Sequence, residues 1–391
     1  MKIESQETKD LKITDLSLSC FRNYSSFELH NIESLTIFVG HNAIGKTNIV
    51  EGIQLLTALT SFRNPTGKQL IAWNKEAAHL SISVKNKSRD LKLKLTIQEG
   101  KRAYFLNGKP KRIQTLKGLV PSVTFTPDDL ALVKGSQSGK RSALDTLGSQ
   151  LSQNYYVIKK DYEKILQHKN RLLKDEGSEA FFDSIDETLL TVGTQLYCYR
   201  SAMFKKLLVW IEYYYKEITG GKESVGGAYI PSWIDGEDVR DNLIVGKDEA
   251  YEMMRASLDS LKDEERRRKR SLVGPHADKI EFYIHDKNAR TYASQGQQRS
   301  IVLSFKLAEL ALIREMLDQK PILLLDDVMS ELDESRRDAL MGFITGDIQT
   351  FITTTNLHYF SENILNRARI VRLESDEQTL NPECEVPCHH E

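Results

Sequence analysis

Cysteine is scarce in this sequence, and long apolar runs are absent from it. Four cysteines in 391 residues are too few and too scattered for a disulfide framework, and Cys20 and Cys198 lie in apolar stretches that suit core thiols. No segment approaches the roughly 18 consecutive apolar residues of a membrane span, and residues 1–10 are polar rather than signal-like. We therefore expect a cytoplasmic protein with no membrane partner.

A strong net charge is missing as well. The formal charge is -1 at pH 7, although 28% of the residues are charged. Because no overall basic field exists, any contact with nucleic acid must come from local patches. The length suffices for two domains, or for one large domain that carries an insertion.

The end of the sequence holds a small group of potential metal ligands. Cys384, Cys388, His389 and His390 form the pattern C-x3-C-H-H. A zinc site is conceivable, but the spacing matches no closed zinc site and the segment is terminal and polar. The sequence leaves open whether this cluster binds a metal or belongs to a disordered tail.

What the sequence does contain is a complete phosphate-binding motif. Residues 40–47 read G-H-N-A-I-G-K-T and fit G-x-x-x-x-G-K-[ST] in full, between an apolar strand and an amphipathic helix. A strand, a turn and a helix with incidental glycines would not supply all of these features together. We predict that a nucleotide is bound by Gly40, His41, Asn42, Ala43, Ile44, Gly45, Lys46, Thr47 and Asn48.

The residue types of this loop indicate its chemistry. Its glycines allow backbone angles that turn successive N–H groups inward, at the positive end of the following helix. Lys46 is expected to reach the β- and γ-phosphates during catalysis, and the Thr47 hydroxyl is expected to ligate Mg²⁺.

The N-terminal third reads mainly as antiparallel β-structure. Residues 11–30 predict a hairpin that turns near Arg22, which either contacts the adenine or a phosphate or lies on a surface turn. Strands at 80–84 and 91–97 predict a sheet beside the phosphate loop. Basic residues here are either solvated or contact DNA phosphates. The candidates for DNA contact are Arg63, Lys68, Lys92, Lys94, Arg102 and Lys134.

The hydrophobic period becomes helical from about residue 142. Apolar residues recur every three and four positions over 144–165 and 182–203, which predicts two long helices folded back on each other as an arm. The final third returns to alternating strands and helices. We therefore predict an α/β ATPase-type domain in two parts, residues 1–137 and 271–391, split by a helical arm domain over 138–270.

An acidic pair completes the predicted nucleotide site. The apolar strand 321–325 ends in Asp326 and Asp327; Asp326 would hold Mg²⁺ through its water shell, and Asp327 would act as general base or position the water. Ser294 and Gln297 precede a long helix and offer a second anion site. A single chain can seldom bring both sites onto one γ-phosphate, so we expect ATP to be held between two copies of the chain.

Together these motifs resemble the ABC-type ATPases of the SMC-like branch and, within that branch, the RecF family. The resemblance spans nearly the whole chain in the same order. It is carried by F-R-N-Y at 21–24, G-K-T-N at 45–48, S-F-R at 61–63, L-V-K-G-S at 132–136, G-P-H at 274–276, A-S-Q-G-Q-Q-R-S at 293–300, I-L-L-L-D-D at 322–327, S-E-L-D at 330–333 and T-T-T at 353–355.

The resemblance implies an ABC-type P-loop ATPase head with an antiparallel β-subdomain and an inserted helical arm. It implies that a signature turn acts on the ATP of a second copy and that a D-loop follows the acidic pair. The signature residues would be Ser294, Gly296, Gln297 and Gln298, and those of the D-loop Ser330 and Asp333.

The family function implied is an ATP-dependent DNA clamp of replication and repair. ATP would close a homodimer over single-stranded or duplex DNA at gaps, and slow hydrolysis would open it. The partners implied are RecR and RecO, with loading of RecA and support of the SOS response. The alternative is an SMC-like ATPase head of an anti-phage effector system, which would need a further catalytic domain.

Four residues depart from the family pattern. Ala43 replaces a glycine, Ala277 and Lys279 replace an arginine and an aspartate after G-P-H, and Asn356 stands where an aspartate usually follows T-T-T. These departures leave ATP binding intact but bear on the hydrolysis rate and on the role of residues 274–279.

Overall fold

The structure is a computed structural model that describes residues 10–175, 179–234, 245–344 and 348–374. The chain forms two compact units: unit 1 comprises Met1–Pro127 and Ile313–Glu391, and unit 2 comprises Asp128–Leu312. The sequence analysis places its boundaries at 137/138 and 270/271 instead. Residues 271–312 therefore belong to the compact unit of the helices, since strand pairing and helix packing assign them there.

Fourteen strands and ten helices are described within these ranges. In the first part of unit 1 they are β1 Lys12–Phe21, β2 Tyr24–Leu29, β3 Leu35–Val39, α1 Lys46–Thr57, β4 Ala77–Lys85, β5 Asp90–Gln98, β6 Lys101–Leu106, β7 Lys109–Lys111, α2 Ile113–Leu116 and β8 Ser122–Phe125. Those that begin in unit 2 are α3 Gln137–Leu151, α4 Gln153–Asp175, α5 Glu179–Thr219, β9 Val225–Ile230, α6 Lys247–Arg268, β10 Lys279–Ile284, β11 Lys287–Asn288, α7 Ala289–Tyr292 and α8 Gln295–Leu317. The rest of unit 1 adds β12 Ile322–Asp326, α9 Glu334–Ile344, β13 Thr350–Thr354, α10 Glu362–Leu365 and β14 Arg369–Arg372.

Unit 1 contains two sheets. One is antiparallel with strand order β2-β1-β4-β5-β6-β7, and the other is parallel with order β14-β3-β13-β12-β8. Helix α1 contacts strands of both sheets, and its apolar residues are fully buried. The alternation in β4 and β5 directs Leu80 and Leu95 into the core while Ser81 and Lys94 face outward, as a half-buried sheet requires. The predicted mixed α/β fold with an antiparallel subdomain is confirmed.

Unit 2 contains the helical arm and a three-stranded antiparallel sheet of order β11-β10-β9. The first predicted arm helix is two helices, because Ser152 is extended (φ -147°, ψ 126°) and its hydroxyl accepts a hydrogen bond from the Tyr155 N–H at the start of α4. The glycine-containing segment 220–227 extends into β9. Residues 176–178, between α4 and α5, lie outside the described residues.

The segment 274–279 packs within unit 2. The Asp278 carboxylate is buried, where it accepts hydrogen bonds from the Tyr229 hydroxyl (2.5 Å) and the Ser232 N–H (2.8 Å). Burial raises the pKa of Asp278 to about 6, although these hydrogen bonds oppose the shift. Gly274 has φ 130°, and a β-carbon there would meet the Tyr162 hydroxyl. These contacts give the segment a packing role that the sequence did not indicate.

The described residues hold neither a membrane-spanning helix nor a cluster of metal ligands. None of the helices there is long and apolar enough to cross a membrane. Likewise, no group of three or more histidine, cysteine, aspartate or glutamate side chains in the described ranges could hold a metal ion. The cluster Cys384, Cys388, His389 and His390 lies outside these ranges, so its role stays a prediction.

Candidate nucleotide site

The predicted phosphate loop connects β3 to α1. Gly45 precedes the helix with φ 109°, in the left-handed region, and a β-carbon there would lie 2.6 Å from Asn23 Nδ2. A β-carbon on Gly40 would lie 2.8 Å from the Leu373 carbonyl oxygen. Asn23 Nδ2 also donates to the Ile44 carbonyl (3.1 Å), so the hairpin turn after β1 supports the loop from outside.

Ala43 is the residue of this loop that departs from the family pattern. It has φ 66°, a left-handed conformation that glycine adopts freely and that costs other residues about 1–2 kcal/mol. The backbone of this loop carries strain that a glycine would relieve.

Lys46 is held inside the loop. Its Nζ donates to the carbonyl oxygens of Gly40 (2.6 Å) and His41 (2.9 Å), and only 6% of the residue is exposed. Burial lowers the pKa of Lys46, while the negative charges of Asp327 and Asp326 oppose that shift. The lysine and the acidic pair, predicted from distant parts of the sequence, therefore interact electrostatically in one site.

Asp326 ends β12 beside two threonine hydroxyls. Thr353 Oγ1 donates to Asp326 Oδ1 (2.7 Å), and the Thr47 hydroxyl is a second hydrogen-bond partner of the carboxylate. Burial raises the pKa of Asp326, and both hydrogen bonds counteract the rise. Thr47 and Asp326 bring together oxygen ligands of the kind that Mg²⁺ prefers.

Asp327 has the least satisfied side chain of the site. Its Oδ1 is buried and has no hydrogen-bond partner among the described residues. Its backbone is left-handed (φ 51°), and its N–H donates to Thr353 Oγ1 (2.9 Å). Burial raises the pKa of Asp327, against the favourable charge of Lys46. A buried acceptor without a partner beside Lys46 fits a site that a polar ligand completes.

Arg22, a predicted nucleotide contact, is bound to the protein itself. Its guanidinium donates to both carboxylate oxygens of Glu51 (2.9 and 2.8 Å) and to the Gln69 carbonyl (2.9 Å). Contact between Arg22 and the nucleotide stays a prediction. The Glu51 carboxylate, with an exposed fraction of 0%, also accepts from Ser61 Oγ (2.6 Å) and is paired with Arg63 (3.4 Å).

Glu51 is the residue of this site that the sequence analysis missed. It links the turn after β1, helix α1 and the S-F-R segment through Arg22, Ser61 and Arg63. The sequence did contain a signal for it, because Glu51 is a carboxylate among the apolar residues of this helix, such as Val50 and Ile53. A carboxylate in such surroundings needs charged or hydrogen-bonding partners.

We expect Glu51→Gln to lower the free energy of unfolding by about 2–3 kcal/mol in urea denaturation. A fully buried ion pair that loses one partner costs about 3–5 kcal/mol, and the partial exposure of Arg22 and Arg63 reduces this. Glu28→Gln is the control, because Glu28 is an exposed carboxylate in the same unit. A loss for Glu51→Gln no greater than that of the control would contradict the structural role of Glu51.

The predicted signature residues begin helix α8. Ser294 is exposed, and its Oγ accepts from the Gln297 N–H (3.2 Å) while Gln297 Oε1 accepts from the Ser294 N–H (2.8 Å), which is a capping box. Gln297 Nε2 donates to Glu223 (2.8 Å), and Gln298 Nε2 donates to the Ala293 carbonyl (2.6 Å). The Ser294 hydroxyl therefore lies at the surface, where another molecule can reach it. Binding by these residues and by Gly296 stays a prediction.

The predicted D-loop residues follow β12. Ser330 Oγ donates to the Asp327 carbonyl (2.9 Å), and Asp333 Oδ1 accepts from the Arg336 N–H (3.0 Å) at the start of α9. Both residues are exposed.

Asn356, which follows β13, is also exposed, and its Oδ1 accepts a hydrogen bond from the His358 N–H (2.9 Å).

The candidates for DNA contact have different surroundings. Lys92 and Lys94 are exposed on the outer face of the antiparallel sheet of unit 1, Lys68 is exposed in the segment Gly67–Leu70, which contacts β5, and Lys134 is exposed in unit 2. Arg63 is bound to Asn48 (2.7 Å), and Arg102 is partly buried against the Pro65 carbonyl (3.4 Å), so these two have structural partners. Contact with DNA stays a prediction for all six, namely Arg63, Lys68, Lys92, Lys94, Arg102 and Lys134.

Known proteins share this fold. The family model described as RecF/RecN/SMC N terminal domain matches residues 12–380. A DNA replication and repair protein RecF of Geobacillus kaustophilus is 36% identical over 373 residues, which cover 94% of this chain and 99% of the relative. That of Pediococcus pentosaceus is 33% identical, covering 92% and 96%.

Two solved structures are similar as well. The recombination mediator protein RecF-ATPrS in the RecFOR pathway is 28% identical with a TM-score of 0.83, covering 91% of this chain and 95% of that one. The Smc head domain of Pyrococcus yayanosii, 12% identical with a TM-score of 0.51 and covering 93% and 95%, shares the fold. Fold and site define an SMC-like head of the ABC-type P-loop ATPases. Within that class, the chain belongs to the RecF family.

Proposed function

We propose that this protein is a DNA-binding ATPase of DNA replication and recombinational repair, in which ATP closes a homodimer and slow hydrolysis opens it. The observation that carries the proposal is the joint placement of Lys46, Asp326 and Asp327, with Asp327 Oδ1 buried and unpartnered within the described residues. The relatives named RecF and the RecF structures described with ATP and ATPrS support it.

Each residue of the site has a distinct task in this proposal. Lys46 moves from the loop carbonyls onto the β- and γ-phosphates, and Asp327 accepts the proton of the attacking water. Thr47 and Asp326 would hold Mg²⁺, which when bound neutralises charge that develops on the phosphate oxygens. The side chain of Asp327 is shorter than that of a glutamate, so it would position the attacking water less well. This suits a switch that hydrolyses ATP slowly.

A second copy completes the site through its helix α8. The Ser294 hydroxyl and the positive end of this helix would meet the γ-phosphate, because a helix N-terminus favours anions. In this arrangement residues 1–137 and 271–391 would act as the ATPase head and residues 138–270 as the arm, a functional division that differs from the compact units, which divide after Pro127 and Leu312. The D-loop residues Ser330 and Asp333 would lie at the same dimer interface.

The relatives suggest the cellular context. The solved RecF structures are described in the RecFOR pathway, and the curated relatives as DNA replication and repair proteins. We infer that this protein acts in the cytoplasm on single-stranded and duplex DNA at gaps, with RecR and RecO, to load RecA and support the SOS response.

The test measures DNA binding and oligomeric state together. Gapped, single-stranded and duplex DNA are titrated with and without ATP and Mg²⁺, while the mass of the complex is followed by light scattering. We expect a monomer without ATP, and a dimer with tighter DNA binding when ATP and Mg²⁺ are present. A dimer equally strong without nucleotide, or DNA binding indifferent to ATP, would contradict the proposal.

Charge reversal locates the DNA surface. We expect Lys92→Glu with Lys94→Glu to weaken DNA binding and to flatten its salt dependence, since each phosphate contact contributes about 0.9 to the slope of log K against log salt. Lys205→Glu with Lys206→Glu, exposed on α5, makes the same change of net charge on another surface. If both double variants weakened DNA binding equally, the outer face of the sheet would be excluded as the DNA-contacting surface.

A further inference from the structure

Trp73 is the most exposed large apolar side chain in the described part of the chain, with 92% of its surface accessible. It lies in a turn closed by a hydrogen bond from the Lys75 N–H to the Ala72 carbonyl (3.1 Å). The Ala72 N–H in turn donates to the Cys20 carbonyl of β1 (2.9 Å). The exposed indole is therefore presented by a hydrogen-bonded backbone. An aromatic ring in water at such a position needs an explanation, because large rings normally bury most of their surface.

The indole borders an open cavity of about 770 Å³. Lys68, Lys75 and Gln98 line this cavity, as do the carboxylates Glu76 and Glu99. Because both signs of charge meet there, the cavity itself does not favour a phosphate. It does offer an aromatic face with hydrogen-bonding groups around it, which suits a flat heterocycle such as a base.

The cavity borders the basic outer face of the antiparallel sheet, since Gln98 lines it. Gln98 is the last residue of β5, and Lys92, Lys94 and Thr96 precede it on the same face. Opposite Gln98 on β6 lies Lys101, which is exposed. Residues two apart on a strand are about 7 Å apart, so the lysines form a row that leads towards Trp73.

We propose that this row is a track for single-stranded DNA, with Lys92, Lys94 and Lys101 on the phosphates and Trp73 stacked on an unpaired base. We name it the Trp73 track. The inference rests on the proposed function and specifies the strand that this surface binds. An unpaired base can stack on the indole, whereas the bases inside a continuous duplex are already stacked on their neighbours. Charge complementarity and an exposed aromatic platform are the two features of sequence-independent single-strand sites.

The test compares Trp73→Ala and Trp73→Phe on three probes: an oligothymidylate, an abasic oligonucleotide of equal length and a duplex closed by hairpins at both ends. We expect Trp73→Ala to bind the oligothymidylate roughly 5- to 150-fold more weakly, the range for loss of one stacked base. Trp73→Phe keeps an aromatic face and should stay within a few-fold of the original protein. The closed duplex should bind all three proteins alike, and the abasic strand should not distinguish them.

Controls separate this inference from the proposed function. Phe181→Ala removes another exposed aromatic side chain, on α5, and should leave binding unchanged. Unchanged oligothymidylate binding by Trp73→Ala would overturn the Trp73 track, while ATP-dependent DNA binding would still support the proposed function. An equal loss on the closed duplex, or an abasic strand bound by the original protein as tightly as oligothymidylate, would overturn stacking. If the original protein bound no DNA with or without ATP, both proposals would fail.

Discussion

Ser294→Arg is expected to abolish ATP-dependent dimerisation while each monomer still binds ATP. In the proposed dimer, Ser294 of one copy faces the γ-phosphate held by Lys46 of the other. An arginine there adds bulk where the small serine hydroxyl must approach the γ-phosphate, and this clash should prevent the two copies from closing on the nucleotide. We expect the dimer association constant to fall by at least about 100-fold. Light scattering with ATP and Mg²⁺ measures the dimer, and a fluorescent ATP analogue measures binding to the monomer.

The matched control for this variant is Ser136→Arg. Ser136 also caps a helix, since its Oγ accepts from the Gly139 N–H (3.1 Å) at the start of α3, and it is exposed. Its replacement removes a cap and adds a charge at a helix start just as Ser294→Arg does, at a cost of about 1 kcal/mol. Only the variant at 294 should lose the dimer. If both variants dimerise with ATP, the shared nucleotide site is wrong.

Asp327→Asn is expected to slow ATP hydrolysis by roughly 10²- to 10⁴-fold, the usual contribution of a general base, and to trap the ATP-bound dimer on DNA. Asparagine has nearly the same shape and tolerates the left-handed backbone of this position (φ 51°). The hydrogen bond from its N–H to Thr353 Oγ1 does not depend on the side chain. Single-turnover hydrolysis and the lifetime of the DNA complex are the measurements.

The neighbouring carboxylate provides the comparison. Asp326→Asn weakens the proposed Mg²⁺ site, so it should reduce ATP-dependent dimerisation itself rather than trap the dimer. Burial raises the pKa of Asp327, and a base must be deprotonated. As the pH is lowered, the hydrolysis rate should therefore begin to fall at a higher pH than it would with an aspartate of ordinary pKa. Asp327→Asn should lack this pH dependence. Hydrolysis by Asp327→Asn at the original rate would exclude Asp327 as the base.

Local patterns were enough to predict most elements of the fold. The phosphate loop lies between β3 and α1 as its spacing predicts, and β12 ends at Asp326 as the apolar run predicts. Alternation in β4 and β5 also predicted the faces of the sheet, since Leu80 is buried and Lys94 is exposed. Each of these depends on residues that are neighbours in sequence, and so it could be inferred from sequence alone.

Pairing between distant residues could not be predicted in this way. Arg22 was a candidate for the nucleotide, yet Glu51 and the Gln69 carbonyl bind its guanidinium. The packing of Asp278 against Tyr229 and the exposure of Trp73 were equally hidden. The hydrophobic periodicity of a sequence does not indicate which carboxylate pairs with a given guanidinium group, or which turn projects from a sheet.

The sequence by itself determined the elements, the nucleotide loop with its acidic pair, and the resemblance to the RecF family, because short-range spacing encodes all of these. Only the tertiary structure decided that Asp327 has a buried oxygen with no partner among the residues that the structure describes, that Ser294 is exposed on a capped helix, and that a row of lysines leads to Trp73. The reason is physical: burial and charge pairing depend on which distant segments the chain brings into contact, and those contacts form only when the sheets and helices pack.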